Sequence, residues 1–207
     1  MGDSYSTYKG YIPSGYQSYY SDERIEQPVV NGVDKTWWKI LANQKQLQIF
    51  NDSFSGSTIC TTVREQLTIE TSFVKRMDKY LGADYFTKNK IDTIILFGGT
   101  NDSWIDAPIG ELLFDDWNDT NLKSVIPAFC YLLYSVKKIQ GNPYVFLVIN
   151  SDLKEDITEK LVEACEWYKV DYVQLKEIDK QNGHPTVLGM QQIAQQIENV
   201  WANKECI

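Results

Sequence analysis

The chain has 207 residues, enough for one well-packed domain and short for two. Hydrophobic residues make up 43% and charged residues 23%, an ordinary globular balance. The net charge of -8 argues against a nucleic-acid partner, which needs a basic surface, and disfavours an anionic membrane surface.

In chain order, Met1-Gly2-Asp3-Ser4-Tyr5-Ser6 lacks the basic and apolar segments of a signal peptide. The expectation is a cytoplasmic chain, or one already trimmed at its N-terminus. The stretch from Tyr5 to Tyr20, rich in Tyr, Gly, Ser and Pro, reads as an irregular loop. Trp37, Trp38 and Leu41 fall on a candidate helix. Gln46-Leu47-Gln48-Ile49-Phe50 is a short strand candidate that ends in the polar loop Asn51 to Ser57. Phe73, Met77 and Leu81 mark another helix. Thr93-Ile94-Ile95-Leu96-Phe97 is apolar throughout and stopped by Gly98-Gly99. Val125, Ile126, Phe129, Leu133 and Val136 lie at helical spacing, with Gly141-Asn142-Pro143 as the stop.

Tyr144 to Ile149 is a second continuous apolar run. Ile157, Leu161, Ala164, Cys165 and Tyr168 form the next helical stripe, Asp171 to Leu175 a weaker strand, and Met190, Ile193, Ile197, Val200 and Trp201 a last stripe. Runs apolar throughout and bounded by turn residues suit strands buried on both faces of a parallel sheet. Strand–helix alternation then predicts a single α/β domain over 1–207, a three-layer α/β/α sandwich with a flavodoxin-like parallel sheet. Ligands of such folds bind beyond the carboxyl ends of the strands. No apolar run approaches the roughly 20 residues of a membrane-spanning helix. The four cysteines, Cys60, Cys130, Cys165 and Cys206, are far apart and read as free buried thiols. With one histidine in the chain, a zinc site is not expected.

Polar clusters follow, or should follow, the strands: Gly2-Asp3-Ser4, Asn51 to Ser57, and Gly98-Gly99-Thr100-Asn101-Asp102. A fourth, Asn182-Gly183-His184-Pro185, precedes the last helix. Ester hydrolysis needs a nucleophile, a base for its proton, and donors aimed at the developing oxyanion. A serine, the lone imidazole, a glycine N–H and an asparagine amide are candidates for these parts.

In order and approximate spacing, these blocks resemble those of the SGNH (GDSL) hydrolase family. Gly2-Asp3-Ser4 resembles its nucleophile block, Gly56 its glycine block, Gly99-Thr100-Asn101-Asp102 its Gly-x-Asn-Asp block, and His184 its base block. The resemblance implies an esterase without metal or organic cofactor, acting through an acyl-serine on a small-molecule or glycan ester such as a carbohydrate acetate. Ser4 would be nucleophile and His184 general base. The N–H groups of Ser4 and Gly56 and the Asn101 amide would form the oxyanion hole, and Asp102 would be structural. Tyr5 and Trp104 adjoin the blocks and are the candidates for substrate contact.

Two positions depart from the family pattern. The family's usual Asp, three residues before the histidine, is here Gln181, with Asp179 two residues further back. Losing the carboxylate of a serine triad can cost about 10⁴-fold in turnover. The expectation is therefore a Ser–His dyad helped by Gln181 or a backbone carbonyl, or an acid supplied by Asp179. Only Met1, Gly2 and Asp3 precede Ser4, whereas a strand needs about 5 residues. The family's first strand is then incomplete, or some other segment or chain must fill its place. Both departures keep open a second reading, a catalytically silent carbohydrate-binding or interaction domain on the same scaffold.

Overall fold

The structure, a computed structural model, describes residues 1–205. In chain order the helices and strands are α1 (Trp37–Lys45), α2 (Phe73–Gly82), α3 (Tyr85–Lys88), β1 (Thr93–Gly98), α4 (Thr100–Trp104), α5 (Val125–Lys137), β2 (Tyr144–Ile149), α6 (Glu155–Tyr168), β3 (Asp171–Gln174), β4 (Lys180–Gln181), β5 (His184–Pro185) and α7 (Val187–Glu205). They gather into two compact units, one of Met1 with Gly56–Tyr172, the other of Gly2–Ser55 with the chain from Val173 onward.

The strand order of the main sheet is β1-β2-β3, and β1 and β2 lie in the first unit. β1 and β2 run parallel, in register from Thr93↔Tyr144 to Gly98↔Ile149. Val145 to Ile149 are all buried, which is why this strand reads as an unbroken apolar run rather than an alternating one. α5 packs against both α2 and α6. It accordingly buries residues on more than one face: Val125, Ile126, Ala128, Phe129, Leu132 and Leu133 are all fully enclosed. α6 buries the single stripe Ile157, Leu161, Ala164 and Cys165, and carries Glu155 and Asp156 in its first turn, where they complement the positive end of the helix dipole.

The second unit is built on α1 against α7. Trp37, Trp38, Leu41 and Ala42 of α1 are buried, as are Met190, Ile193, Ala194 and Ile197 of α7. β4 and β5 form a two-residue antiparallel ladder, Lys180↔Pro185 and Gln181↔His184. The residues from Tyr5 to Tyr20 form the expected irregular loop, buried at its two ends and exposed or half-buried between them. Tyr5, Tyr8 and Tyr20 are each at most 1% exposed.

The segment Gln46 to Phe50 is not a strand. α1 runs to Lys45, Gln46 takes a left-handed backbone (φ 54), and the Leu47 N–H closes back onto the Ala42 carbonyl. Leu47, Ile49 and Phe50 remain 38–50% exposed. Pairing starts only beyond them. The Gly2 N–H donates to the Asp52 carbonyl, the Phe54 N–H donates to the Gly2 carbonyl, and Gly2 bridges Ser53 in parallel. In the first unit, the Met1 amino group donates to the Ile95 carbonyl at 2.8 Å and the Phe97 N–H donates to the Met1 carbonyl. Met1 thus sits beside Leu96 as a single residue of strand on the β1 edge.

Candidate active site

Ser4 opens a 3-10 turn, Ser4–Ser6, whose N-cap is Asp3. The Asp3 carboxylate accepts the Tyr5 N–H at 3.0 Å, the Thr7 hydroxyl donates to the Ser4 carbonyl at 3.0 Å, and Ser4 is 2% exposed. Gly2 is required by space. A Cβ there would lie 2.6 Å from the Ser6 hydroxyl and 2.8 Å from that of Ser53. The Gly-Asp-Ser triplet is therefore a close approach, a cap and a serine at the start of a turn, each residue set by its neighbour.

His184 arrives on a β-hairpin. Asn182 (φ 49) and Gly183 (φ 74) form the two-residue loop between β4 and β5, both with positive φ as a type I′ turn demands. Tyrosine hydroxyls brace this hairpin from the N-terminal loop. Tyr5 donates to the Gly183 carbonyl and Tyr20 to that of Pro185 at 2.8 Å. Burial pushes the Tyr20 phenol well above its ordinary range, keeping it a donor.

The imidazole Nε2 lies 3.0 Å from Ser4 Oγ, and Nδ1 lies 3.1 Å from the Asn182 carbonyl. A carbonyl only accepts, so the proton of a neutral ring belongs on Nδ1. That leaves the Nε2 lone pair facing the serine hydroxyl, which can donate to it. The pair is thereby arranged for proton transfer from oxygen to nitrogen.

The side chains named as candidates to orient the ring, Asp179 and Gln181, are both exposed. Asp179 is exposed, and its carboxylate accepts the Thr186 hydroxyl while the same hydroxyl oxygen receives the Gly189 N–H at the start of α7. These bonds place it at the N-terminus of α7. Gln181 is exposed and is the ladder partner of His184. The backbone carbonyl beside the ring is that of Asn182, 3.1 Å from Nδ1. Tyr5, expected to touch substrate, is 1% exposed, and its hydroxyl donates to the Gly183 carbonyl of the hairpin. Trp104 is 42% exposed at the end of α4, with the Arg64 guanidinium 5.8 Å from its ring centroid.

The other two blocks lie in the first unit. Gly99 adopts φ 96 after β1, and at Gly98 a Cβ would meet the Phe73 ring at 2.6 Å, so both glycines answer local geometry. Asn101 is 1% exposed and donates from its amide to the Ser57 carbonyl at 2.9 Å. Asp102 is fully buried and accepts the N–H groups of Ile59 (2.9 Å) and Cys60 (3.1 Å). Burial raises its carboxyl pKa, with those backbone donors working the other way. Gly56 adopts φ 85 in the turn before Ser57.

One member of this network had no sequence signal. Arg76 on α2 is 1% exposed, donating to the Thr71 carbonyl at 3.0 Å and to the Ser57 hydroxyl at 3.2 Å. An arginine at a helical position ordinarily reads as a solvated face. Cys60, Cys130 and Cys165 are free and buried, and burial pushes the Cys130 thiol up to about 11. Such thiols are poor nucleophiles at neutral pH. Cys206 lies outside the described residues. Among the described residues no helix is long and apolar enough to cross a membrane, and no cluster of acidic, Cys and His side chains could hold a metal ion.

The family profile of GDSL-like lipase/acylhydrolase matches residues 1–201. A structure described as a GDSL-like lipase from Bacteroides ovatus superimposes with a TM-score of 0.89 at 35% identity, covering 98% of this chain and 95% of that one. One so described from Bacteroides uniformis gives 0.89 at 37%, covering 98% and 93%. An acetyl xylan esterase from Butyrivibrio proteoclasticus shares the fold at 17% identity and a TM-score of 0.65, covering 99% of this chain and 63% of that one. No curated protein sequence matches. The α/β fold with its parallel sheet is thus that of the SGNH hydrolases, and the chain belongs to the GDSL-like lipase/acylhydrolase family.

Proposed function

We propose that this protein is a serine esterase that removes a short acyl group, such as acetyl, from a carbohydrate through an acyl-serine intermediate. The observation that carries the reading is the Ser4–His184 pair, 3.0 Å from Oγ to Nε2, with Nδ1 held on the Asn182 carbonyl. Ser4 Oγ attacks the ester carbonyl as His184 Nε2 takes its proton. The tetrahedral intermediate collapses, His184 returns the proton to the departing alkoxide, and the alcohol leaves. Water then enters, gives its proton to His184 and attacks the acyl-serine. The carboxylic acid departs and Ser4 recovers its proton.

The donors to the oxyanion are assigned to the N–H groups of Ser4 and Gly56 and to the Asn101 amide. Support for Ser4 comes from its place at the start of a 3-10 turn, where an N–H has no partner within the turn. Asn101 commits one amide proton to Ser57 and retains a second. Trp104 is assigned to substrate contact on its exposure and its place beside the Gly-x-Asn-Asp block.

The Asn182 carbonyl replaces the usual acid in orientation, but as a dipole it stabilises an imidazolium less than a full charge would. Turnover below that of a complete triad follows, whereas a catalytically silent carbohydrate-binding scaffold would show none. Hydrolysis of p-nitrophenyl acetate by the parent and by Ser4→Ala separates the two. Loss of turnover in the variant supports the esterase, and equal rates sink it. Replacing acetate by a long-chain p-nitrophenyl ester tests the acyl preference, and faster cleavage of the long chain would overturn the short-acyl assignment.

A further inference from the structure

One face of the His184 ring is covered. Tyr19 lies flat on it, with centroids 3.6 Å apart and planes within 4°. The guanidinium carbon of Arg24 lies 4.0 Å from the Tyr19 centroid. Since the imidazole takes one face of Tyr19, the guanidinium takes the other, and the three planar groups form a column.

Arg24 and Tyr19 are both held in place. Arg24 donates from Nε to the Pro28 carbonyl at 3.3 Å and from Nη1 to the Tyr19 carbonyl at 3.4 Å, and its Nη2 lies 3.9 Å from the Glu26 carboxylate. The Tyr19 N–H donates to the Thr7 hydroxyl oxygen at 2.8 Å, and that same hydroxyl donates to the Ser4 carbonyl. One threonine thus ties the backbone of the ring covering His184 to the backbone of Ser4.

We propose that Tyr19 and Arg24 are positioning residues for His184, Tyr19 fixing the plane of the imidazole and Arg24 setting its strength as a base. The inference rests on the Ser4–His184 reading above. A ring stacked on one face leaves the imidazole little freedom except rotation in its own plane. The bonds at Nδ1 and Nε2 remove that freedom. The face of Tyr19 favours the charged imidazolium, whereas a guanidinium one ring further away opposes it. Arg24 therefore holds the free base neutral and ready to accept, and Tyr19 stabilises the cation once the serine proton arrives.

Other groups around the ring are the Tyr5 ring at 5.4 Å, with Lys180 Nζ 5.4 Å from the Tyr5 centroid, and Tyr20, edge-on to Tyr19 at 4.9 Å. The Asp3 carboxylate sits on the Tyr5 N–H, and Glu26 bears on Arg24. Lys180 adds to the effect of Arg24, while Asp3 and Glu26 temper it.

The chain has one histidine, so a proton NMR titration of the full chain reports on this ring alone. In the parent, the His184 C2 proton is expected at a ring-current-shifted position. Arg24→Gln should raise the titration midpoint and move the acid limb of kcat/KM to higher pH by the same amount. Tyr19→Phe should stay within about twofold of the parent in kcat, while Tyr19→Leu should lose the ring-current shift and about 10- to 100-fold in kcat with KM little changed.

The proposal is overturned if the parent lacks the ring-current shift. It is also overturned if Arg24→Gln leaves the midpoint in place, or if Tyr19→Phe is as impaired as Tyr19→Leu. The parent spectrum and the phenylalanine variant keep it testable should Tyr19→Leu not fold. The NMR readout needs no turnover. A parent inactive on every ester but showing the Arg24-dependent midpoint would refute the esterase reading and leave the column standing.

Discussion

The two units hold their polar groups by different means. In the first, the Gly-x-Asn-Asp block stands at the end of a strand embedded in a continuous apolar core that runs from Ile59 through Phe129 to Leu161. Its polar side chains bond backbone held in place by that core, as Asp102 does with Ile59 and Cys60. In the second, Ser4 and His184 stand on a 3-10 turn and a two-residue hairpin, with no long strand behind either. Tyrosine hydroxyls, a threonine and a stacked ring hold them. A strand end embedded in an apolar core backs the first set, and bonds between loops back the second. The lesson is that stability should report mainly on the first unit, and activity on the second.

The largest effects sharpen that contrast. His184→Ala is expected to lower ester turnover by about 10⁴-fold, with a denaturation midpoint close to the parent's. Phe129→Ala, which empties a fully buried site on α5, is expected to cost about 3–5 kcal/mol of unfolding free energy. Kinetics and urea denaturation of the two variants check the pair. A His184→Ala protein as destabilised as Phe129→Ala would break the comparison.

A smaller effect concerns Asp179. If it supports α7 through Thr186, Asp179→Asn should cost about 0.5–1 kcal/mol in stability and leave kcat within about twofold. A fall approaching the 10⁴-fold of a lost triad acid would return it to the ring.

The smallest effect is alkaline. Tyr8 in the second unit and Tyr131 in the first both have phenols pushed up to about 12, by burial first and then by bonds to Asp22 and Asp78. An unfolded phenol ionises near 10, so between about pH 10 and 12 the unfolded chain has lost protons that the folded chain keeps. Stability should fall as pH rises through that window. Ultraviolet titration of phenolate should show a late-ionising class that joins the rest on unfolding. A single class near 10 in the folded protein would contradict it.

Legibility followed the same division. β1, β2 and the helices α5, α6 and α7 are plain in the sequence because their apolar periodicity is what the core requires. The run Gln46 to Phe50 carries a comparable apolar signal yet forms no ladder, since composition cannot say where pairing starts, and here it starts at Asp52 and Ser53. The hairpin that presents His184 turns on Asn182-Gly183, the favoured dipeptide of a type I′ turn, which reads in the sequence only as part of a polar cluster before the last helix. Its flanking strands, at two residues each, are too short for alternation to mark. Tyr19 and Arg24 could not be paired with His184 from their positions, because a stack across a long loop leaves no spacing rule. The acid three residues before the histidine is missing from the sequence. That its place at the ring is taken by the Asn182 carbonyl follows only from the turn's geometry.

The central claim is that Ser4 is a nucleophile activated by His184, and covalent trapping tests it most directly. Incubation of the full chain with a fluorophosphonate, followed by peptide mass spectrometry, should place one phosphonyl adduct on Ser4. The adduct should form far more slowly in His184→Ala. An unmodified Ser4, or labelling at the same rate without His184, would contradict the account.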